Sequence, residues 1–190
     1  CNTATSAACK IMRRMYPDLP LVGIEPAVKP AAQNHRGEKV AVMATPLTLH
    51  EEKFKQLVKR YENLATIIPV PCPDLVEYVE KGILEGPELE GYLKDVLTPC
   101  LQEGVKAVVL GCTHFPLVKA AIGKVVGESV RIYDGGEGTA RQAKCLLAAK
   151  NLCTDQEKGH ICFESSAPEK EAYYEALYRK AAHIDSRVKL

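Results

Sequence analysis

Gly111-Cys112-Thr113-His114-Phe115-Pro116-Leu117 follows directly on the apolar run Val105–Leu110. A strand ending on Gly-Cys places the thiol at a β-to-α turn, where glycine permits close backbone approach. The N-terminal end of the following helix favours a thiolate and draws a thiol pKa from about 8.5 toward neutrality. His114, two residues on, can exchange a proton with the thiol or pair with its thiolate. Backbone N–H groups at such a turn, together with the Thr113 hydroxyl, are suited to a carboxylate. Spacing alone also fits a buried structural cysteine beside a helix-capping Thr and an incidental His.

Cys1-Asn2-Thr3-Ala4-Thr5-Ser6 is a second cysteine followed by small hydroxyl and amide residues. These are N-cap types and good ligands for carboxylate or ammonium groups. A first-position cysteine also fits an N-terminal nucleophile whose α-amine is its base, or a chain boundary that happens to fall on Cys. A helix pattern straight after Cys1, with no strand opening at the nucleophile, counts against such a hydrolase. The two cysteine segments echo each other. Cys1-Asn2-Thr3 leads into a helix pattern over Ala7–Tyr16, and Cys112-Thr113-His114 into one over Leu117–Val126. By that symmetry a strand belongs before Cys1, and two α/β units each supply one strand-end cysteine.

These residues need a scaffold. Strands are expected at Leu21–Ile24, Lys39–Ala44, Thr66–Val70, Val105–Leu110, Val130–Tyr133 and Ile161–Glu164. Between them, helical spacing of apolar residues runs from about Thr48 to Glu62, with Phe54, Leu57, Val58 and Tyr61 on one face. Further helices are expected over Pro87–Glu103, Gly138–Asn151 and Pro168–Ala182. Strand–helix alternation predicts an α/β fold with a parallel sheet, and ligands in such sheets bind at the carboxyl ends of the strands. Gly135-Gly136-Glu137-Gly138 follows a strand without the spacing of a dinucleotide fingerprint. It reads as a turn, or as a small anion site at a helix start.

Composition excludes several classes. The chain has 190 residues, 46% hydrophobic and 26% charged, ordinary for a folded domain. Lys and Arg number 25 against 24 Asp and Glu, so no basic surface for nucleic acid is expected. No apolar run reaches the roughly 18 residues of a membrane span, and no signal-peptide pattern opens the sequence. Trp is absent and aromatics are scarce, which disfavours stacking platforms for bases. The eight cysteines (1, 9, 72, 100, 112, 145, 153 and 162) form no CxxC pair. Their irregular spacing points to reduced thiols in a cytoplasmic protein, most of them small core residues.

Taken together, CNTATS and GCTHFPL resemble the paired cysteine motifs of the glutamate racemases, within the cofactor-independent aspartate/glutamate racemase superfamily. Gly23-Ile24-Glu25-Pro26-Ala27, Val42-Met43-Ala44-Thr45, Cys72-Pro73-Asp74-Leu75-Val76-Glu77 (with Glu80 and Gly82 following) and Thr139-Ala140-Arg141 resemble further family segments in order. The resemblance implies two parallel-sheet α/β units related by a pseudo-twofold axis. One spans 22–128 and carries Cys112; the other, incomplete, comprises 1–21 and 129–190 and carries Cys1. It implies interconversion of L- and D-glutamate by a thiol and a thiolate on opposite faces of the substrate, supplying D-glutamate for peptidoglycan synthesis. Cys1 and Cys112 would be the bases, with His114 and Glu80 assisting Cys112. Asn2, Thr3, Thr113 and His114 would bind glutamate. No cofactor or metal is implied, and a homodimer is compatible.

The family's Asp-Ser and Tyr-Gly segments, upstream of the first cysteine, have no counterpart here. The sequence is therefore expected to be an N-terminally truncated racemase, inactive by itself. Rival expectations are a superfamily member acting on aspartate, hydantoins or maleate, disfavoured by C-T-H-F-P-L, and an inactive fragment or binding module that keeps the fold.

Overall fold

A computed structural model of the chain describes residues 1–155 and 159–187. In chain order the elements are α1 (Asn2–Met15), α2 (Val28–Asn34), β1 (Lys39–Ala44), α3 (Pro46–His50), α4 (Glu52–Tyr61), β2 (Thr66–Pro71), α5 (Leu75–Glu80), α6 (Pro87–Gln102), β3 (Ala107–Leu110), α7 (Lys119–Val126), β4 (Arg131–Tyr133), α8 (Gly136–Ala149) and α9 (Glu171–Arg187). Short 3-10 turns precede α7 at Phe115–Val118 and α9 at Pro168–Lys170.

The strands form one sheet in the order β2-β1-β3-β4, and every pairing is parallel. The expected α/β class is therefore observed. Alternation along the central strands sorts their side chains onto two faces. Ala41, Met43, Val108 and Leu110 join Leu75 and Val79 of α5, Leu89, Leu93 and Leu97 of α6, and Phe115, Val118 and Ile122 beyond β3. Leu177 and Ala181 of α9 enter this same cluster. Val40, Val42, Ala107 and Val109 face Ala31 and Ala32 of α2 and Phe54 and Leu57 of α4. Both faces of the sheet are thus covered, which explains why β1 and β3 read as unbroken apolar runs. In contrast, α1 and α8 contain no buried residue.

Two expected strands do not form. At Leu21–Ile24 the backbone finds side chains instead of a ladder: Arg13 donates to the Leu21 carbonyl at 3.1 Å, and Ile24 N–H donates to Thr5 Oγ1 at 3.1 Å. Ile161–Glu164 also lies outside the sheet; Phe163 stacks edge-on against Tyr178 of α9 at 5.5 Å. The helix expected over Thr48–Glu62 is interrupted at Glu51, whose extended backbone (φ −63°, ψ 137°) ends α3 and caps α4. The expectation that most cysteines are core residues also fails. Only Cys72 and Cys100 are buried, while Cys1, Cys145, Cys153 and Cys162 are exposed. Cys145 lies on α8, which has no buried face, so its thiol has no core to enter.

All four strands release the chain at one edge of the sheet, because all run the same way. Thr45, Cys72, Gly111-Cys112 and Asp134-Gly135 therefore gather there. Gly111 is required where it stands: its N–H donates to the Met43 carbonyl at 2.7 Å, and a Cβ would lie 2.6 Å from that same oxygen. Gly111→Ala is expected to destabilise the fold by about 1–3 kcal/mol, the usual cost of overpacking, read from urea melts. An unchanged midpoint would show that β3 can shift to admit the methyl group. Among the described residues, no helix is long and apolar enough to cross a membrane.

Candidate active site

The turn after β3 supports Cys112 and His114 as a local pair. His114 Nδ1 lies 3.7 Å from Cys112 Sγ, and its Nε2 lies 2.8 Å from Glu80 Oε1. Glu80 is the last residue of α5, so a carboxylate 34 positions earlier meets the imidazole end-on. An imidazolium satisfies both ends, donating Nδ1–H to a thiolate and Nε2–H to the carboxylate. His114 and Glu80 remain 31% and 40% exposed, which leaves the relay open to proton exchange with water.

The electrostatics follow from these contacts. The His114 pKa is raised from 6.5 to about 9, first by its bond to Cys112 and further by Glu80, against the lowering effect of burial. For Cys112, burial pushes the thiol up. The side-chain and backbone hydrogen bonds of His114 and its positive charge outweigh that, so the net shift is downward. Cys72 shows what happens without such partners: burial, with the nearby Cys100, pushes it up to about 12. Cys100 is likewise raised by burial. Cys72 and Cys100 are therefore inert core thiols, whereas Cys112 is activated.

The first cysteine motif reaches the same place. The Asn2 side-chain amide donates to the carbonyl of Gly111, so residues adjacent to Cys1 and Cys112 are in direct contact. Asn2 Oδ1 is buried and has no hydrogen-bond partner among the described residues. Cys1 is the exposed N-cap of α1, and Thr3 lies half-buried in the first turn. A cavity of about 150 Å³ opens between the two motifs, lined by Asn2, Cys112, Thr113, Glu25 and the Gly135-Gly136 pair, among others. It has room for a small organic molecule.

Of the sequence-selected residues, the structure brings Cys112, His114 and Glu80 into one hydrogen-bonded chain, and Asn2 and Thr113 onto one cavity wall. Among the described residues, Thr3 makes no polar side-chain contact that ties it to that wall, and Cys1 and His114 are not among the residues lining the cavity. The glycine run after β4 proves to be part of the cavity, a role that sequence reading left as a turn or anion site. Asp134 Oδ1 accepts from Gly136 N–H at 2.9 Å, and a Cβ on Gly135 would lie 3.0 Å from the Glu25 carbonyl. The cue was present in a glycine pair placed directly after a strand. Among the described residues, no group of three or more His, Cys, Asp or Glu is arranged to hold a metal ion.

A thiol with a lowered pKa thus stands at the strand ends of a parallel α/β sheet, joined through Asn2 to a second cysteine motif beside a small cavity. A family model, Asp/Glu/Hydantoin racemase, matches residues 1–143, and the chain belongs to that family. It is 45% identical over 171 residues to a glutamate racemase of Clostridium perfringens, a match covering 90% of this chain and 66% of the relative. The chain thus spans just under two thirds of that relative's length. In structure it resembles Escherichia coli glutamate racemase in complex with L-glutamate and the activator UDP-MurNAc-ala, with TM-score 0.78 and 31% identity over 95% of this chain and 68% of that one. It also resembles the Francisella tularensis glutamate racemase in complex with D-glutamate, with TM-score 0.66 and 26% identity over 83% of this chain and 58% of that one.

Proposed function

We propose that this protein interconverts L- and D-glutamate, with Cys1 and Cys112 as the bases on opposite faces of the substrate. The observation that carries this reading is the Asn2–Gly111 contact, which brings the residue after Cys1 onto the cavity that Cys112 and Thr113 line. The glutamate racemases it resembles, one bound to L-glutamate and one to D-glutamate, support the choice of substrate.

A racemase must take the α-proton from one face and return a proton to the other. A thiolate performs the first step and a thiol the second, and each turnover leaves the pair set for the reverse direction. In one direction the Cys112 thiolate takes the proton while Cys1 delivers its own to the opposite face; the roles exchange in the other. His114, held by Glu80, keeps Cys112 ionised when it acts as base, and stays close enough to exchange a proton with it. Negative charge developing on the substrate carboxylate needs donors at fixed positions. The N–H groups and hydroxyl of the Cys112–Thr113 turn supply them, with His114 alongside. Asn2 Oδ1, buried and unpartnered, is placed to accept from the substrate ammonium, with Thr3 in the same helical turn. In this reading 22–128 is the unit that carries Cys112. Segments 1–21 and 129–190 belong to the unit that carries Cys1, and residues 156–158 and 188–190 of the latter lie outside the described residues. In this reading the product D-glutamate supplies peptidoglycan synthesis, and the free thiols support a cytoplasmic enzyme.

The test is polarimetric: the intact enzyme, offered either enantiomer of glutamate, is expected to drive the circular dichroism signal to zero. Dialysis against EDTA and treatment with hydroxylamine are expected to leave the rate within about twofold, since the cysteine pair performs the proton transfers itself. Loss of activity under either treatment would overturn the two-cysteine account. Turnover of aspartate or a hydantoin in preference to glutamate would move the protein elsewhere in its family.

A further inference from the structure

We propose that α9 is a clamp on the proton relay, with Tyr173 and Lys180 as positioning residues that hold Glu80 against His114. This deepens the reading above and rests on it. The Tyr173 hydroxyl donates to the backbone carbonyl of Glu80, and Lys180 Nζ donates to the carbonyl of Gly82 at 2.7 Å. Glu80 closes α5, a helix of only six residues. A helix this short is marginal by itself; the N–H groups of Lys81, Ile83 and Gly82 close on the carbonyls of Glu77, Tyr78 and Val79, which leaves those of Glu80 and Gly82 to be satisfied from elsewhere. Two of the carbonyls at and just past this end are satisfied by α9, from 93 and 98 residues away.

The geometry of α9 explains why it can do this. Tyr173, Leu177 and Ala181 are spaced by four, so they share one face, and Leu177 and Ala181 are buried in the main core. The same helix packs against the Phe115–Val118 turn, which begins one residue after His114. One rigid element therefore touches the supports of both partners in the Glu80–His114 pair. Between the two clamped carbonyls the chain reverses at Gly82, with φ +73°, where a Cβ would lie 3.5 Å from the Tyr173 hydroxyl. Without the clamp, the body of α5 stays anchored by Leu75 and Val79, but Glu80 loses the bond that fixes its backbone, and its carboxylate lies 2.8 Å from the imidazole. The helix lies beyond residues 1–143, the span matched by the family model.

The relay can be read in the chain itself, without turnover. Tryptic peptide 107–119 contains Cys112 as its one cysteine. Its iodoacetamide labelling rate against pH, followed by mass spectrometry, gives the Cys112 titration, and imidazole NMR gives that of His114. The titratable groups facing the pair are Glu80 from α5 and Cys72 beyond β2, and the charged Lys180 of α9 ends on the Gly82 carbonyl, two residues from Glu80. Tyr173→Phe keeps the ring and its packing but loses the donor. It is expected to raise the Cys112 midpoint and lower the His114 midpoint by about half a unit each, slowing labelling near neutrality roughly threefold. Lys180→Met is expected to act in the same direction, Lys180→Arg to restore the parent curves, and Tyr178→Phe, which touches neither carbonyl, to leave them in place. Parent-like curves in both Tyr173→Phe and Lys180→Met, with His114→Gln still shifting Cys112, would overturn the clamp and leave the relay standing. If His114→Gln does not move the Cys112 curve, the relay itself is wrong.

Discussion

Cys112→Ser in the intact enzyme is expected to lower glutamate racemisation by at least about 10³-fold, and Cys1→Ser to do the same. A serine hydroxyl keeps the size and position of the thiol but does not ionise near neutral pH, so it can serve neither as base nor as ready acid. Each face of the substrate needs its own proton carrier, so neither cysteine can cover for the other. The prediction has an internal control. Each variant retains one working face and is expected to wash deuterium from solvent into one enantiomer of glutamate but not its mirror image. Cys1→Ser and Cys112→Ser should show opposite preferences. Circular dichroism measures the loss, and NMR of the α-proton measures the asymmetry. Near-normal turnover in either variant, or the same preference in both, would sink the account. Cys72→Ser and Cys100→Ser provide the contrast: both thiols are buried and raised, so their replacement should affect stability before it affects turnover.

His114→Gln is expected to cost roughly 10²-fold in rate at pH 7, and the deficit should shrink as the pH is raised. The direction follows from what the imidazole does to the thiol. Burial pushes Cys112 up, and the hydrogen bonds and charge of His114 are the main forces that bring it down. Without them the thiol is protonated at neutrality, and alkali restores part of the thiolate. Glu80→Gln acts more gently and from the other side. It removes one of the two bonds that hold His114 at about 9, so the alkaline limb of the pH–rate profile moves to lower pH. Stability gives an independent reading with a definite sign. His114 is raised from 6.5 to about 9 by folding, so its contribution is complete below pH 6.5 and is lost as pH rises through 9. Urea melts of the parent and His114→Gln proteins should therefore differ most near pH 6 and converge above pH 9. A deficit that instead grows with alkali would show that the histidine is neutral in the fold.

The parallel sheet was legible because β1 and β3 are buried on both faces, and such strands advertise themselves as apolar runs. Leu21–Ile24 and Ile161–Glu164 carry the same local signal, but a strand also needs a neighbour. Arg13 and Thr5 claim the polar groups of the first segment, and Phe163 leans on α9 in the second. Cys112 and His114 were legible as a pair because they stand two positions apart at a turn. Glu80 was selected through the family resemblance, since nothing in a six-residue helix announces a partner 34 positions away. Tyr173 and Lys180 left no trace at all. They bind backbone carbonyls, and any residue type at positions 80 and 82 would offer the same oxygen. The glycine pair after β4 was read as a turn because the near contact that forbids a side chain there, with the Glu25 carbonyl, exists only after folding.

The absence of buried residues from α1 and α8 makes the chain unequal in its resistance to opening. Local unfolding requires little free energy where few apolar contacts are broken, and approaches the global value where the core must be taken apart. The helix that begins at Asn2 belongs to the first kind, while Cys112 hangs from β3, which belongs to the second. The two cysteine motifs are thus mounted on parts of very different stiffness, linked at the Asn2–Gly111 bond. One wall of the cavity is anchored to a strand buried on both faces. The other is held through polar bonds rather than core packing: Asn2 to Gly111, Thr5 to Ile24 and Arg13 to Leu21.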